Sequence, residues 1–490
     1  MLLLLFLQLV ALVTFAGWVM TSSAVIYYAG IFLSVLVFSF VLKKDEASVY
    51  KITWLILILV FPSVGGVFYL LFGNKRPLRD ITAHMKEHAL IAKILDADVL
   101  KYENEGRIAG LMKYIRGASS FHAYGGTQSK YFATGEEMFV EMIREIRAAE
   151  RFIFLESYIV KSGEMWDGLL DALAERAEAG VEVRLIADHF GSHKLFTHRY
   201  LKKLRAKKIY ALRFNQMIPF MLFFMNNRDH RKILVVDGKS AFTGGINVAD
   251  EYINLIKPFG IWKDTGIKLR GDAVWSFTLM FMEMWNMICS PNERIGDYER
   301  YKFSEGMLSD GLVIPYGDTP LDNEQLGENV YVDILNQAED YVYIFTPYFI
   351  ASEKLIGAFQ LAAKRGVDVR IVTPGIPDKK LVYRLTRSYY RYMHQAGVKI
   401  YEYSPGFLHG KSIVCDDKIA VVGTINFDYR SLYLNFECAA LLYNCSVIKS
   451  IRDDALRTIN ESREVAPVAE KFRMFNDLFD AFLHLFAPVM

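Results

Sequence analysis

Two short stretches of this chain carry the same polar residues at the same intervals. His230-x-Lys232-x4-Asp237 is followed by Gly244-Gly245-x-Asn247, and His409-x-Lys411-x4-Asp416 by Gly423-Thr424-x-Asn426. Residues i and i+2 of a strand project from one face, so each histidine and its lysine point the same way. Brought together, the two copies supply two imidazoles, two ammonium groups and two carboxamides, a set that suits one phosphodiester. The lysines, with Asn247 and Asn426, would hold the non-bridging oxygens; one histidine would attack phosphorus and the other protonate the departing alkoxide. This chemistry calls for no metal and no organic cofactor. It does call for opposite protonation states, a neutral nucleophile and a protonated acid. One such motif alone would read as surface charge; two with identical spacing do not.

Asp237 and Asp416 complete the catalytic motif, and both read as turn residues more than as catalysts. Asp237-Gly238 is a two-residue hairpin signal, which would return Asn247 beside His230. Asp264 and Glu437 lie a similar distance downstream of their respective histidines, so each is an expected orienting partner for a ring. The alternative is that both are ordinary surface acids.

These residues need a scaffold that presents them twice. "AERFIFLESYIV" (149–160) echoes "AEDYVYIFTPYFI" (338–350), and "EAGVEVRLIAD" (178–188) echoes "KRGVDVRIVTP" (364–374), in the same order and each ahead of its histidine motif. Helical patterns alternate with short runs rich in Val, Ile, Phe and Tyr, the pattern of an α/β fold built from two tandem repeats. The expected organisation is a membrane region at 1–80, a connecting helix at 81–118, a first αβ domain at 119–290, a linker at 291–309, a second αβ domain at 310–462 and an amphipathic C-terminal helix at 463–490. In that tail Phe472, Phe475, Phe479, Phe482 and Phe486 recur at helical spacing, for the bilayer surface or for packing on the catalytic domain.

Residues 1–42 carry no charged side chain, and about 20 apolar residues cross a bilayer. Two spans are expected, 2–20 and 24–42, in preference to a signal peptide, because a basic n-region is missing and a second apolar segment follows. A third apolar stretch, Ile52 to Phe72, is divided by Pro62 and Gly65-Gly66 into arms of about ten residues or fewer, each too short to span alone. A re-entrant hairpin would keep Lys43, Lys44 and Lys51 on the same side as Lys75, Arg76 and Arg79, the cytoplasmic side by the positive-inside rule.

Hydrophobic residues make up 52% of the 490, high for a soluble protein, and the net charge is +2. That balance argues against a nucleic-acid partner. The basic runs at 202–208 and 379–391 read equally as solvated helix faces or as phosphate-facing ones. The four cysteines show neither a disulfide framework nor a zinc-ligand spacing.

The doubled motif resembles that of the phospholipase D superfamily. Its surroundings are similar to the bacterial cardiolipin synthases: "NNRDHRKILVVDGKSAFTGGINVADEY", "FGIWKD", "TPYFI", "PGFLHGKSIVCDD" and "VGTINFDYRSLYLNFE". The similarity begins at about residue 50, where "YKITWLILILVFPSVGGVFYLLFG" matches the family's membrane segment, and runs to the C-terminus. The resemblance implies two phospholipase D-like domains with mixed sheets sharing one active site, preceded by membrane helices. It implies that two phosphatidylglycerols are joined into cardiolipin with release of glycerol, through a phosphatidyl-histidine. The first copy, His230, would supply the nucleophile, and the carboxylates Asp264 and Glu437 would hydrogen-bond the catalytic histidines. Gly245 stands where the second copy has Thr424, so only the second half would offer a hydroxyl to the phosphate. The expected partners are phosphatidylglycerol and membrane phospholipid, with the catalytic domain on the cytoplasmic face of the cell membrane. A phospholipase D hydrolase or a phosphatidylserine synthase would use the same motifs, because the acceptor alcohol is not written in them.

Overall fold

The computed structural model describes residues 14, 17–18, 23–44, 48–73, 106–216, 227–289, 299–303, 306–308, 310–322, 324–467, 478–481, 483–484 and 487. The expected first span, 2–20, lies almost wholly outside the described residues, as do most of the connecting helix and most of the C-terminal helix. The chain divides into two compact units, one containing the N-terminal residues to Arg79 and the other the bulk of the chain.

Among the described residues of the N-terminal unit one helix, Ala24–Lys43, is long and apolar enough to cross a membrane. The third apolar stretch breaks at 61–64 into helices Ser48–Val60 and Gly65–Phe72, as its Pro62 and glycines require. The first of these has 13 residues, because it begins ahead of the apolar run, and the second has 8. Gly30 lies against the Ser63 backbone, Gly66 N donates to Ser34 Oγ at 2.8 Å, and Lys44 Nζ reaches the Tyr69 hydroxyl at 3.4 Å. The helix Gly65–Phe72 therefore runs parallel to Ala24–Lys43. Ser48–Val60 runs antiparallel to both, with Lys51 Nζ on the Lys44 carbonyl at 3.0 Å. The pair forms a hairpin whose two ends lie at the Lys43 end of the long helix and whose tip lies beside Gly30, about 20 Å along at 1.5 Å per residue.

The larger unit holds two sheets of the same topology. In the first half the strands are β1 (Thr127–Phe132), β2 (Phe152–Ser157), β3 (Glu182–Asp188), β4 (Ile209–Phe214), β5 (Ile233–Val236), β6 (Ser240–Gly244), β7 (Ile261–Lys263) and β8 (Gly266–Gly271). In the second they are β9 (Leu312–Asp318), β10 (Tyr341–Phe345), β11 (Phe349–Ile350), β12 (Asp368–Pro374), β13 (Lys399–Tyr403), β14 (Gly406–Leu408), β15 (Ser412–Cys415), β16 (Ile419–Gly423), β17 (Phe427–Asp428), β18 (Glu437–Tyr443) and β19 (Ser462–Glu464). The first sheet has the order β1-β8-β6-β5-β2-β3-β4; the second repeats it as β9-β18-β16-β15-β10-β12-β13 and adds β19 at the edge. Both sheets are mixed, parallel through β2-β3-β4 and β10-β12-β13 and antiparallel elsewhere. Helix-containing crossovers join the parallel strands, which is why the parallel strands are apolar nearly throughout.

One core lies between the sheets and includes residues of both, among them Phe154, Phe281, Phe345 and Cys438. Phe154 stacks on Phe281 at 4.6 Å. The expected linker is not wholly a connector. Tyr301 is buried in this core, packs on Phe152 and Phe154, and accepts a hydrogen bond from Arg184 at 2.9 Å.

Candidate active site

Each histidine precedes the first residue of a central strand, β5 or β15, and the other half of the chain seats it there. His230 N donates to the Phe436 carbonyl at 2.9 Å, and His409 N donates to the Lys263 carbonyl at 2.7 Å. The residue after each of those carbonyls is a carboxylate. It reaches the same ring: His230 Nδ1 donates to Glu437 at 2.8 and 2.9 Å, and His409 Nδ1 to Asp264 Oδ2 at 2.7 Å. Asp264 and Glu437 are thus orienting partners, but crossed. Each serves the histidine of the opposite half, not the one upstream of it, because β7 pairs with β14 and Phe436 bridges to Asp229 across the interface.

The crossing fixes the tautomers. A ring whose Nδ1–H points at a carboxylate presents its Nε2 lone pair outward. Burial pushes the His230 imidazole down to about 4, with Glu437 opposing, and burial and Lys411 push His409 down to about 3. Burial raises both carboxylates, and the facing imidazole and lysine charges more than reverse it, so Asp264 and Glu437 end below the usual range. Burial lowers Lys232 to about 8 and Lys411 to about 7. Each histidine also feels the ammonium of the other half's lysine, so the two motifs make one electrostatic site.

The two halves differ in detail. Lys232 Nζ donates to the His230 carbonyl at 2.6 Å and lies 5.7 Å from the Tyr158 ring. Lys411 Nζ likewise donates to the His409 carbonyl, but also sits on its own histidine ring, 2.9 Å from Nδ1 and 3.0 Å from Nε2. The nearly equal distances place Nζ over the ring, off the axis of the Nε2 lone pair. Among the described residues nothing is hydrogen-bonded to His230 Nε2.

Other expected residues sit elsewhere. Asp237 and Asp416 close the hairpins at the far ends of β5 and β15. Asp237 accepts from the backbone N–H groups of Glu150, Arg151 and Phe152 at 2.8–3.0 Å, and Asp416 from those of Glu339, Asp340 and Tyr341 at 2.8–2.9 Å. Their place in the catalytic motif is structural. The expected Asp237-Gly238 turn is present: Lys239 N bonds Val236 O and both central residues take positive φ, with Lys239 as one extra residue before β6. Thr424 is corrected as a phosphate ligand. It is fully buried, its hydroxyl donates to Glu437 and accepts from Cys438 N at 3.0 Å, and so it holds the carboxylate that holds His230. Asn247 accepts from Ile159 N at 3.0 Å and donates to the Tyr252 hydroxyl at 2.7 Å, whereas buried Asn426 Oδ1 has no partner among the described residues.

Sequence reasoning missed the aromatic walls. Tyr158 meets the His230 ring at 5.1 Å; Tyr252 and Trp262 meet His409 at 5.3 Å, and Phe407 at 5.8 Å. Trp262 stands two residues before Asp264, a spacing that could have flagged it. Among the described residues no cluster of three His, Cys, Asp or Glu could hold a metal ion.

A site of this form sits between two topologically identical halves, and comparison with known proteins bears on which family built it. Residues 142–257 and 331–458 match the model of the cardiolipin synthase, phospholipase D-like domain, and residues 32–74 match the phospholipase D-nuclease N-terminal family. A Streptococcus mutans protein described as uncharacterized is 43% identical over 454 residues, 91% of this chain and 98% of that protein. The cardiolipin synthase of Alkalihalophilus pseudofirmus is 31% identical over 96% of this chain and 94% of its own length. The crystal structure of phosphatidylserine synthase from Haemophilus influenzae superposes with a TM-score of 0.56 over 74% of this chain and 93% of that one, at 15% identity, which speaks to the fold alone. With relatives matched nearly end to end and both histidine motifs inside the matched domains, the chain belongs to the cardiolipin synthase family.

Proposed function

We propose that the protein is a phosphatidyltransferase that makes cardiolipin and glycerol from two phosphatidylglycerols, without a metal or a nucleotide-activated lipid. The crossed carboxylate–imidazole pairs carry this reading, since they leave Nε2 as the reactive atom of both rings and each ring also feels the lysine of the other half. In the first step His230 Nε2 attacks phosphorus, the bond from phosphorus to the glycerol oxygen breaks, and His409, which takes up a proton at Nε2 as the anionic phosphodiester enters the site, gives that proton to the leaving oxygen. In the second step His409 takes the proton of the second lipid's glycerol hydroxyl, whose oxygen attacks phosphorus as the P–N bond breaks. Lys232, Lys411 and Asn426 stabilise the negative non-bridging oxygens. Among the described residues nothing is hydrogen-bonded to His230 Nε2, whereas Lys411 Nζ lies 3.0 Å from His409 Nε2, and this difference favours His230 as nucleophile.

The enzyme is placed in the bacterial cell membrane, with the helix Ala24–Lys43 spanning and 48–73 re-entering from the Lys43 side. The basic residues on both flanks of that hairpin then share the cytoplasmic side with the catalytic domain. The test of the reaction is purified full-length enzyme in vesicles of phosphatidylglycerol alone. Cardiolipin and glycerol in equal amounts are expected. Phosphatidic acid in place of cardiolipin would mean a hydrolase, and strict dependence on serine and cytidine-diphosphate diacylglycerol would mean a phosphatidylserine synthase.

A further inference from the structure

The walls around His409 are also the two ends of an exposed loop. Tyr252 and Trp262 both pack on the His409 ring, and the chain between them leaves the protein surface and returns. Asn254 ties the loop shut: its Nδ2 donates to the Trp262 carbonyl at 2.9 Å and its Oδ1 accepts from Trp262 N at 2.8 Å. Beyond this clamp stand Leu255 and Ile256, and on the return strand Ile261. A second segment lies against the loop, since a Cβ placed on Gly260 would come within 3.2 Å of Ile376 Cδ1. That segment carries Ile376 and Leu381. These five side chains are 42–52% exposed, unusual for large aliphatics grouped around a catalytic pocket.

Lysines are interleaved with them. Lys257 is exposed at the loop tip, and Lys379 and Lys380 are exposed between Ile376 and Leu381. Two acids lie near: Asp378 accepts from the Tyr348 hydroxyl at 2.7 Å and lies 3.9 Å from Lys379, and Glu136 accepts from Asn254 Nδ2 at 3.0 Å, against the three lysines. Positive charge remains in excess. An apolar tip ringed by lysines, continuous with the walls of the site, fits the interface of an anionic bilayer: the aliphatic groups enter the acyl boundary and the ammonium groups meet lipid phosphates.

We propose that loop 254–262 and segment 376–381 are a membrane-docking surface of the catalytic domain, separate from the N-terminal helices, that seats the His409 side of the pocket on an anionic leaflet. This rests on the reading that the pocket takes bilayer phospholipid. A lipid lifted wholly into water would expose its acyl chains; a pocket mouth held at the interface admits the headgroup while the chains stay in the bilayer.

The experiment uses full-length enzyme with Cys289→Ser, the other three cysteines being buried. A single cysteine replaces Ile256, Leu381 or, as control, Lys418, which is exposed in the turn at the far end of β15 from His409. Each is labelled with an environment-sensitive fluorophore and placed in nanodiscs of phosphatidylglycerol and phosphatidylcholine containing a nitroxide lipid labelled near the top of the acyl chain. Quenching of about twofold or more at 256 and 381, with none at 418, is expected. Equal emission at all three positions overturns the proposal, and so does quenching at 256 and 381 that disappears on dilution of the enzyme, which would assign the patch to a second copy of the chain. This readout needs no turnover, so it stands whether or not cardiolipin proves to be the product. In a second arm, Ile256→Asp with Leu381→Asp should cost roughly tenfold on bilayer phosphatidylglycerol and leave the rate on monomeric short-chain phosphatidylglycerol unchanged; unchanged rates on both overturn the proposal.

Discussion

Glu437→Gln should disable the nucleophile and Asp264→Asn should disable the acid, although each carboxylate belongs to the half that carries the other histidine. Glu437 is fully buried, takes the His230 Nδ1 proton at 2.8–2.9 Å, and is held by Thr424 and, at 3.4 Å, by Asn435 Nδ2. Glutamine keeps the shape but removes the charge. It can also turn an N–H toward Nδ1, which drives the ring proton to Nε2 and leaves no lone pair for phosphorus. Loss of one charge-assisted hydrogen bond costs about 1.5–3 kcal/mol. The wrong tautomer in a serine-protease triad costs about 10⁴ in rate. The expected loss for Glu437→Gln is therefore about 10² to 10⁴, or roughly 3–5.5 kcal/mol. An assay that separates the two roles is a phosphatidyl ester of p-nitrophenol, whose leaving group departs without an acid. Its first-turnover release of p-nitrophenolate should fall by that factor in Glu437→Gln and stay within about tenfold of wild type in Asp264→Asn, while both variants fail on phosphatidylglycerol. A larger loss of the p-nitrophenolate burst in Asp264→Asn than in Glu437→Gln would refute the assigned roles.

Acid quenching during turnover followed by peptide mapping should find the phosphatidyl adduct on the peptide containing His230; an adduct on the His409 peptide reverses the roles. The nucleophile His230 stays neutral down to about 4, while the acid His409, lowered to about 3, and then Lys411 and Lys232, lowered to about 7 and about 8, lose protons as pH rises, so kcat/KM should be highest at roughly 4–5 and decline as pH rises, more steeply above about 7. A flat profile from 6 to about 9 would mean that the lysine charges are not needed for binding the phosphodiester. Asp237→Ala leaves three backbone N–H groups without their carboxylate and should cost about 3 kcal/mol of stability, seen as a lower Tm, with the activity of the folded fraction retained. Ser48→Cys in a background free of other cysteines should resist an impermeant thiol reagent in intact cells; labelling there would place the start of the hairpin outside and make 48–73 a full crossing.

Most of the site was legible because strand period and duplication are properties of the sequence itself. The alternation that puts His230 and Lys232 on one face also sends Arg231 to the other, into the core. The repeats in 149–188 and 338–374 map onto β2–β3 and β10–β12, and the two sheets have the same order. The carboxylate pairing was not legible. Chain proximity assigns Asp264 to the half of His230, but the pairing is decided by backbone hydrogen bonds between halves, His409 N to Lys263 O and His230 N to Phe436 O, and no local pattern encodes a contact between segments this distant. Thr424 misled for a related reason. A hydroxyl after a glycine suits a phosphate loop, but Gly423 packs within 2.5 Å of Ala439 as judged from an added Cβ, and the tight approach to β18 turns the threonine inward onto Glu437.

The motifs are doubled, but what lies behind them is not. Glu156 pairs with Ile233 and Phe345 with Ser412, each three residues past its histidine, so Glu156 and Phe345 occupy equivalent places. In the first half Arg231 Nε donates to Glu156 at 2.7 Å and lies 3.5 Å from Asp229, all three buried. The matching residues of the second half are Phe345, Gly410 and Leu408, with no charge among them. A buried ion cluster is weak evidence for stability, since desolvation offsets most of its attraction. What it does impose is geometry, because any shift of the strand entry separates charges in a low dielectric. Gly410 answers a different demand: a Cβ there would sit 3.0 Å from Thr265 Cγ2, so glycine lets the second strand entry close on the Asp264 segment. Under the proposed roles the difference is functional. The half bound to phosphorus has its backbone fixed by charge, and the half that passes protons brings a lysine and a carboxylate each within 3.0 Å of its imidazole. Two copies of one motif thereby yield a nucleophile and an acid instead of two equal histidines.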